Sequence, residues 1–222
     1  LYRPEDFGVF AVFSFAVAIP GALICGAYEA AIMLPHEDEE ARDVTVLALT
    51  IACVIAALFV LPSLASRTAS QLLRAPELAP WLAFVPLNLM ALGLFQSLSY
   101  WLNRRGDYRG LASARIVQSG ITGGGQTGLG FIEAGPAGLV VGQVLGPACG
   151  AAILWWQAAA RGAALATRAL NVDALRRVLV RYRRFPLYTS WGTLVGSAAF
   201  MVVPVLMTRH FGSARAGLYF FG

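Results

Sequence analysis

Six runs of about twenty or more apolar residues divide this chain, at 7–34, 44–65, 79–102, 111–132, 136–160 and 186–208. A helix of that length matches the hydrocarbon thickness of a bilayer. In hydrocarbon every backbone N–H and C=O needs an internal partner, so only helices and closed barrels cross. The runs are rich in Ala and Leu and lack the period-two alternation of an outer-membrane strand. The expected fold is therefore all-α, a polytopic transmembrane helix bundle of about six spans. Composition agrees: 58% of residues are hydrophobic and 13% charged, about half the charge of an ordinary soluble domain.

The joints LPHEDEEARD, SRTASQLLRAPELAP, NRRGDYRG and EAGPAG interrupt the apolar pattern with charge, Pro or Gly, the chemistry of turns and helix ends. All 17 basic residues are Arg. The stretch therefore holds no Walker A lysine, Schiff-base lysine or lysine general base. Alternate joints carry twelve Arg against five, and the richer side is expected to be cytoplasmic. That side comprises 34–43, 103–115 and 161–185. Within the last, NVDALRRVLVRYRRF offers Asn171 as an N-cap. Leu175, Val178, Leu179 and Tyr182 follow at helical spacing, with Arg on the other face. Two settings fit such a helix, the anionic lipid interface or a solvated linker. The chain opens on Leu1, closes within the apolar AGLYFFG and shows no signal-peptide pattern, and it reads as an internal piece of a longer protein.

AYEAAIMLPHEDEEARD, residues 27–43, holds six carboxylates. Pro35 and Asp38 to Glu40 suit a helix start, where carboxylates favour the positive end of the dipole. A cation or partner site is the competing reading. Glu29 lies deeper, among apolar neighbours. A charge there either faces the protein interior or a water-filled cavity, or snorkels to the surface. Pro20, Pro86, Pro147 and Pro204 interrupt spans and free carbonyls. GITGGGQTGLG, residues 120–130, lacks the GxxxxGK[ST] pattern, which excludes a phosphate loop. Its glycines suit close helix packing or local unwinding beside a cavity. Gly138, Gly142, Gly146 and Gly150 form a flat ridge, for packing within the chain or for a dimer face. Asn88, Gln96, Gln118, Gln126 and Gln143 are expected to tie helices together, and some to touch a polar substrate. Cys25, Cys53 and Cys149 have no CxxC spacing and are expected as small buried hydrophobes. His36 and His210 fall at opposite membrane faces, too far apart to share a metal. HExxH, GxSxG and a nucleophile with its base are missing. No catalytic residue, metal or cofactor is expected.

Several stretches together carry a resemblance. These are LYRPEDFGVFAVF at 1–13, YEAAIMLPHEDEEA at 28–41 and SYWLNRRGDYRGLASARIVQS at 99–119, followed by GLVVGQVLGPACG, RYRRFPLY at 181–188 and VVPVLMTRHFGSARAGLY at 202–219. In this order they resemble the Wzx-type polysaccharide and oligosaccharide flippases of the MOP superfamily. The resemblance implies a MATE-like chain of about a dozen helices in two pseudo-symmetric bundles with a cavity between them. Residues 1–160 would then be the N-terminal bundle without its first helix. Residues 161–185 would be the cytoplasmic linker and 186–222 the start of the second bundle. The family often places an Arg before the Tyr-Glu pair; here that position is Ala27, so Glu29 lacks that local partner.

The resemblance implies a flippase for an undecaprenyl-diphosphate glycan in surface polysaccharide biosynthesis. It would work by alternating access in the bacterial inner membrane and would not be an enzyme. Partners would be the lipid-linked oligosaccharide, the phospholipid membrane, a polysaccharide polymerase and glycosyltransferases, with no nucleic acid. A diphosphate needs cationic contacts, and Arg offers a bidentate fork. Arg104, Arg105 and Arg109 are the candidates at the cytoplasmic mouth, with plain positive-inside anchoring as the competing role. Glu29 is the candidate cavity carboxylate, and Gln126 a candidate for the polar substrate. A MATE-like multidrug exporter and a membrane-embedded glycan polymerase or ligase stay open as alternatives.

Overall fold

A computed structural model describes residues 2–64, 79–160, 171–189, 191–192 and 195–196. The joint carrying Arg67 and Arg74, the start of the 161–185 linker, Pro204, Arg209, His210 and Arg215 lie outside the described residues. So does most of the sixth run.

The described residues are helical, with no strand among them. Helix α1 (Pro4–Ala22) starts with Pro at its first position, where a missing N–H costs nothing. Asp6 accepts from the Arg3 backbone N–H at 2.8 Å. The apolar run continues to residue 34, but the helix does not. Gly26 and Ala27 both sit at φ 60°, and only a four-residue helix α2 (Tyr28–Ala31) follows. The expected single span 7–34 is therefore broken. Gly26 tolerates the left-handed turn, whereas Ala27 is strained there by roughly 1–2 kcal/mol. Tertiary contacts hold the turn: Ala27, Tyr28, Ala31 and Ile32 are all buried.

Helix α3 (Asp38–Leu58) begins at its acidic turn, with Asp38, Glu39 and Glu40 in the first turn. Its buried face is small: Ala41, Val44, Thr45, Ala48, Ala52 and Ala56 recur at helical spacing. After α4 (Val60–Leu64) and α5 (Ala79–Leu82), helix α6 (Val85–Arg104) packs on that face. A Cβ at Gly93 would stand 2.5 Å from that of Ala52, so the two backbones meet where both residues are small.

Helix α7 (Tyr108–Phe131) is capped by Asp107, which accepts from the Gly110 N–H at 3.1 Å. It is continuous through GITGGGQTGLG, so the local unwinding considered for that stretch does not occur. Helix α8 (Pro136–Ala160) packs along α7 and against α6. The four-spaced glycine ridge of α8 faces α7 and α6. A Cβ at Gly142 would lie 2.6 Å from Gln126 Cγ, and one at Gly150 would lie 2.8 Å from the Phe95 ring. The ridge is thus used for packing within the chain.

Three stretches, Asp38–Ser63, Pro80–Arg104 and Pro136–Ala160, are long and apolar enough to cross a bilayer, and Asp6–Ala22 is a shorter apolar helix. Large apolar side chains point outward from them, among them Phe15, Leu58, Leu61, Leu87 and Trp156. Small residues such as Ala48, Ala52, Gly93 and Gly142 face inward at the helix contacts, beside larger ones such as Phe13, Leu89, Leu98 and Leu154. That distribution is the helical packing of a membrane bundle. Helix α7 has spanning length, but its Gly, Ser, Thr and Gln keep it from qualifying by hydropathy.

Helix α9 (Val172–Arg181) starts at Asn171, whose side chain accepts from the Asp173 and Ala174 N–H groups at 3.1 and 3.2 Å. Neither expected setting holds for its apolar face. Ala174 and Val178 are buried, and Leu175, Tyr182 and Phe185 pack on the core. Leu179, expected on the same face, is 43% exposed. Of the cysteines, Cys25 is buried, Cys149 intermediate and Cys53 exposed, and all three are free. Cys53 departs from the buried placement expected of it because it sits on the outward face of α3, away from the alanine stripe.

Candidate functional site

The Arg-rich end of the bundle is organised by the first turn of α3. Asp38 receives two guanidinium groups, Arg104 Nη2 at 3.3 Å and Arg105 Nη1 at 2.9 Å. Two residues on, Glu40 receives Arg181 Nη1 at 2.8 Å and the Tyr182 hydroxyl at 3.2 Å. Burial, then the Glu40 charge, push the Tyr182 phenol above its usual range, which keeps it protonated as the donor. The Tyr28 hydroxyl donates to the Leu179 carbonyl at 3.2 Å. The acidic turn therefore starts a helix and also docks the linker helix. Glu37, Glu39 and Asp43 line a cleft with Arg177 and Arg181 on the same side, about 500 Å³ in volume.

Arg104 and Arg105 are neighbours in sequence but lie about 100° apart around α6. Arg104 turns inward, its side chain 13% exposed. It donates to the backbone carbonyls of Pro35 at 2.6 Å, Ile32 at 3.3 Å and His36 at 3.4 Å. It thereby satisfies carbonyls left open where the chain turns from α2 to α3. Arg105 turns outward, 40% exposed, with its guanidinium 5.8 Å from the Trp101 ring centroid. Arg109 is exposed in the first turn of α7. Arg104→Ala is expected to cost about 2–3 kcal/mol, because buried carbonyls lose a charged donor. Arg104→Lys is not expected to restore it, since one ammonium lacks the fork. Thermal unfolding in detergent checks this; an unchanged midpoint for Arg104→Ala would contradict the role.

Glu29 lies on α2, and its Oε2 is buried with no hydrogen-bond partner among the described residues. Nearby, Cys25 Sγ lies 3.2 Å from Ser97 Oγ and donates to the Gly93 carbonyl at 3.5 Å, joining the broken end of the first run to α6. Gln96 donates to the Gly21 carbonyl at 3.5 Å. Asn88 is fully buried on α6, and neither end of its amide is paired among the described residues.

The two sides of α7 differ. One side carries Ala114, Gln118, Thr122, Gly125 and Gln126 and packs on α8. There Gln126 donates through Nε2 to the Leu139 carbonyl at 3.0 Å, and its backbone carbonyl accepts the Tyr2 hydroxyl. The opposite side runs through Arg109, Ala112, Ile116, Gly120, Gly123 and Thr127, all at multiples of three or four residues. Among the described residues, a Cβ added at Gly120, Gly123, Gly124 or Gly128 would meet nothing within 4 Å. The result is an open face that is smooth from Ser119 to Gly128, about 15 Å, with Arg109 and Ile116, the latter 72% exposed, before that stretch and Phe131 and Ile132, both over 70% exposed, after it.

The candidates thus separate. Arg104 and Arg105 converge on Asp38, Arg109 opens the free face of α7, Gln126 lies behind that face, and Glu29 sits on α2. Sequence reasoning missed the Tyr28–Leu179 hydrogen bond and the pairings of Asp38 with Arg104 and Arg105 and of Glu40 with Arg181 and Tyr182. The signal available for them was the match of an acidic helix start to an Arg-rich helix far along the chain. Among the described residues no group of His, Cys, Asp and Glu could hold a metal ion.

A sequence model of the family described as "Polysaccharide biosynthesis protein" matches residues 1–222. No curated protein and no solved structure matches the chain.

Proposed function

Because the chain belongs to the polysaccharide biosynthesis protein family, we propose that it is the translocating part of a flippase for an undecaprenyl-diphosphate oligosaccharide. Its role in polysaccharide biosynthesis follows from the family. The open face of α7 carries the finer reading. A helix of spanning length whose face is bare Gly, Ser and Thr from Ser119 to Gly128 gains little by turning that part to lipid tails. The face is smooth enough for a sugar chain to slide past, and its backbone and hydroxyl groups are polar enough to hydrate one.

Arg109 is the cation that first meets the diphosphate. Arg104 holds the α2–α3 turn and acts as a positioning residue. Gln126 holds α7 on α8 from behind and sets the orientation of the face. Glu29, a carboxylate with one oxygen unpaired inside the bundle, is the group to exchange a proton or cation during the cycle. Residues 1–160 form the first bundle and 186–222 open the second. The linker 161–185 lies in the cytoplasm with 34–43 and 103–115, beneath a bacterial inner membrane. A polymerase and glycosyltransferases are the protein partners. The protein moves its substrate without catalysing bond chemistry.

Depletion in cells tests this against a polymerase. Lipid-linked precursor is expected to accumulate in the cytoplasmic leaflet. Accumulation in the outer leaflet would assign the step after translocation and overturn the proposal.

A further inference from the structure

A trough of about 340 Å³ runs between α6 and α8, lined almost wholly by carbon. Leu87, Leu94 and Leu98 form one wall, Ala148 and Ala152 leave the floor low, and Trp155 stands at one end. Positions 87, 94, 98 and 105 are spaced by seven, four and seven residues. They therefore fall on one line along α6, and Arg105 lies on the line of the trough, about 10 Å beyond Leu98. That end is also where Trp155 sits, 39% exposed, a residue type enriched at membrane interfaces. Arg105 gives one nitrogen to Asp38 and stays 40% exposed, so part of its fork remains available.

Cation, aromatic and apolar trough in this order match a lipid with an anionic head and one long hydrocarbon tail. We propose that this trough is the seat of the polyprenyl tail of a polyprenyl diphosphate in the cytoplasmic leaflet, with Arg105 on its phosphate. This rests on the flippase reading, and it assigns the lipid half of the substrate to α6 and α8 while the glycan half follows α7. A single trough favours a single-tailed lipid over a two-tailed phospholipid. Charge complementarity at Arg105 favours an anionic head over a neutral one.

The test uses the full-length protein in proteoliposomes with a diazirine-bearing polyprenyl diphosphate. Photolabelling is expected on peptides containing Leu94 or Trp155. Unlabelled polyprenyl diphosphate should suppress it, and excess diacyl phospholipid should not. Arg105→Gln is expected to lower labelling about ten-fold, the loss of one charged hydrogen-bonding partner. Ala148→Phe is expected to block it by filling the floor. Competition in the unmodified protein needs no variant to fold. Equal labelling of these peptides by a diazirine phospholipid, not displaced by polyprenyl diphosphate, would overturn the proposal. So would protection of the trough from both probes, which would mean that another segment or a second copy covers it. Leaflet exchange in the same vesicles separates the two ideas. Exchange without trough labelling removes the trough alone; labelling without exchange removes the flippase reading and leaves a polyprenyl-lipid site.

Discussion

Gly146→Val is expected to reduce the folded protein recovered from membranes to about a tenth or less of the unsubstituted level. Gly146 is buried where α8 crosses α7. A Cβ there would overlap Thr122 Oγ1 and stand 2.8 Å from the Gln118 carbonyl oxygen. A threonine side chain can rotate away, but a backbone carbonyl moves only if its helix moves. Separating α7 from α8 would also stretch the Gln126–Leu139 hydrogen bond. Overpacking of this kind costs about 3 kcal/mol, the upper part of its usual range, and branching at Cβ adds to it. Size-exclusion chromatography in detergent checks this, with Gly128→Val as the control because its Cβ position is open. Equal monodisperse yield from both variants would show that the ridge does not hold the bundle.

Gly123→Phe is expected to do the reverse, leaving folding intact and slowing transport at least about ten-fold. Nothing lies within 4 Å of a Cβ at Gly123. Replacing a helical Gly also removes roughly 0.5–1 kcal/mol of backbone entropy cost, so the yield should not fall. A ring placed halfway along the smooth face would obstruct a glycan sliding past it. The readout is the initial rate of leaflet exchange at equal protein density. A rate unchanged by both Gly120→Phe and Gly123→Phe would exclude the open face of α7 as the path. The contrast between Gly123 and Gly146 separates a transport defect from a folding defect.

Features written in local chemistry were legible in the sequence. The acidic start of α3, the Asn171 cap and the small-residue ridge of α8 each follow from a few adjacent or periodically spaced residues, and the structure has all three. The long apolar runs likewise gave the helical membrane bundle. Features set by distant partners were not legible. Around Ala27 only the single Gly26 hints at a turn, and the apolar pattern continues through it; burial of Tyr28 and Ile32 holds the break. The Arg104-Arg105 pair looks uniform in sequence, yet one residue of rotation aims the first at backbone carbonyls and the second outward. The apolar face of α9 was readable, but its partner was not, since Glu40 lies more than 130 residues before Arg181 and Tyr182. For α7 the glycines were visible, and only the packing of α8 divides them into a buried side and a bare one.

The most direct test of translocation loads a fluorescent lipid-diphosphate oligosaccharide into one leaflet of vesicles containing the full-length protein and follows its protection from an external quencher. Protein-dependent exchange, slowed at least about ten-fold by Gly123→Phe and weakened by Glu29→Gln, is the predicted result. Absence of exchange across several glycans, with and without ion gradients, would contradict it.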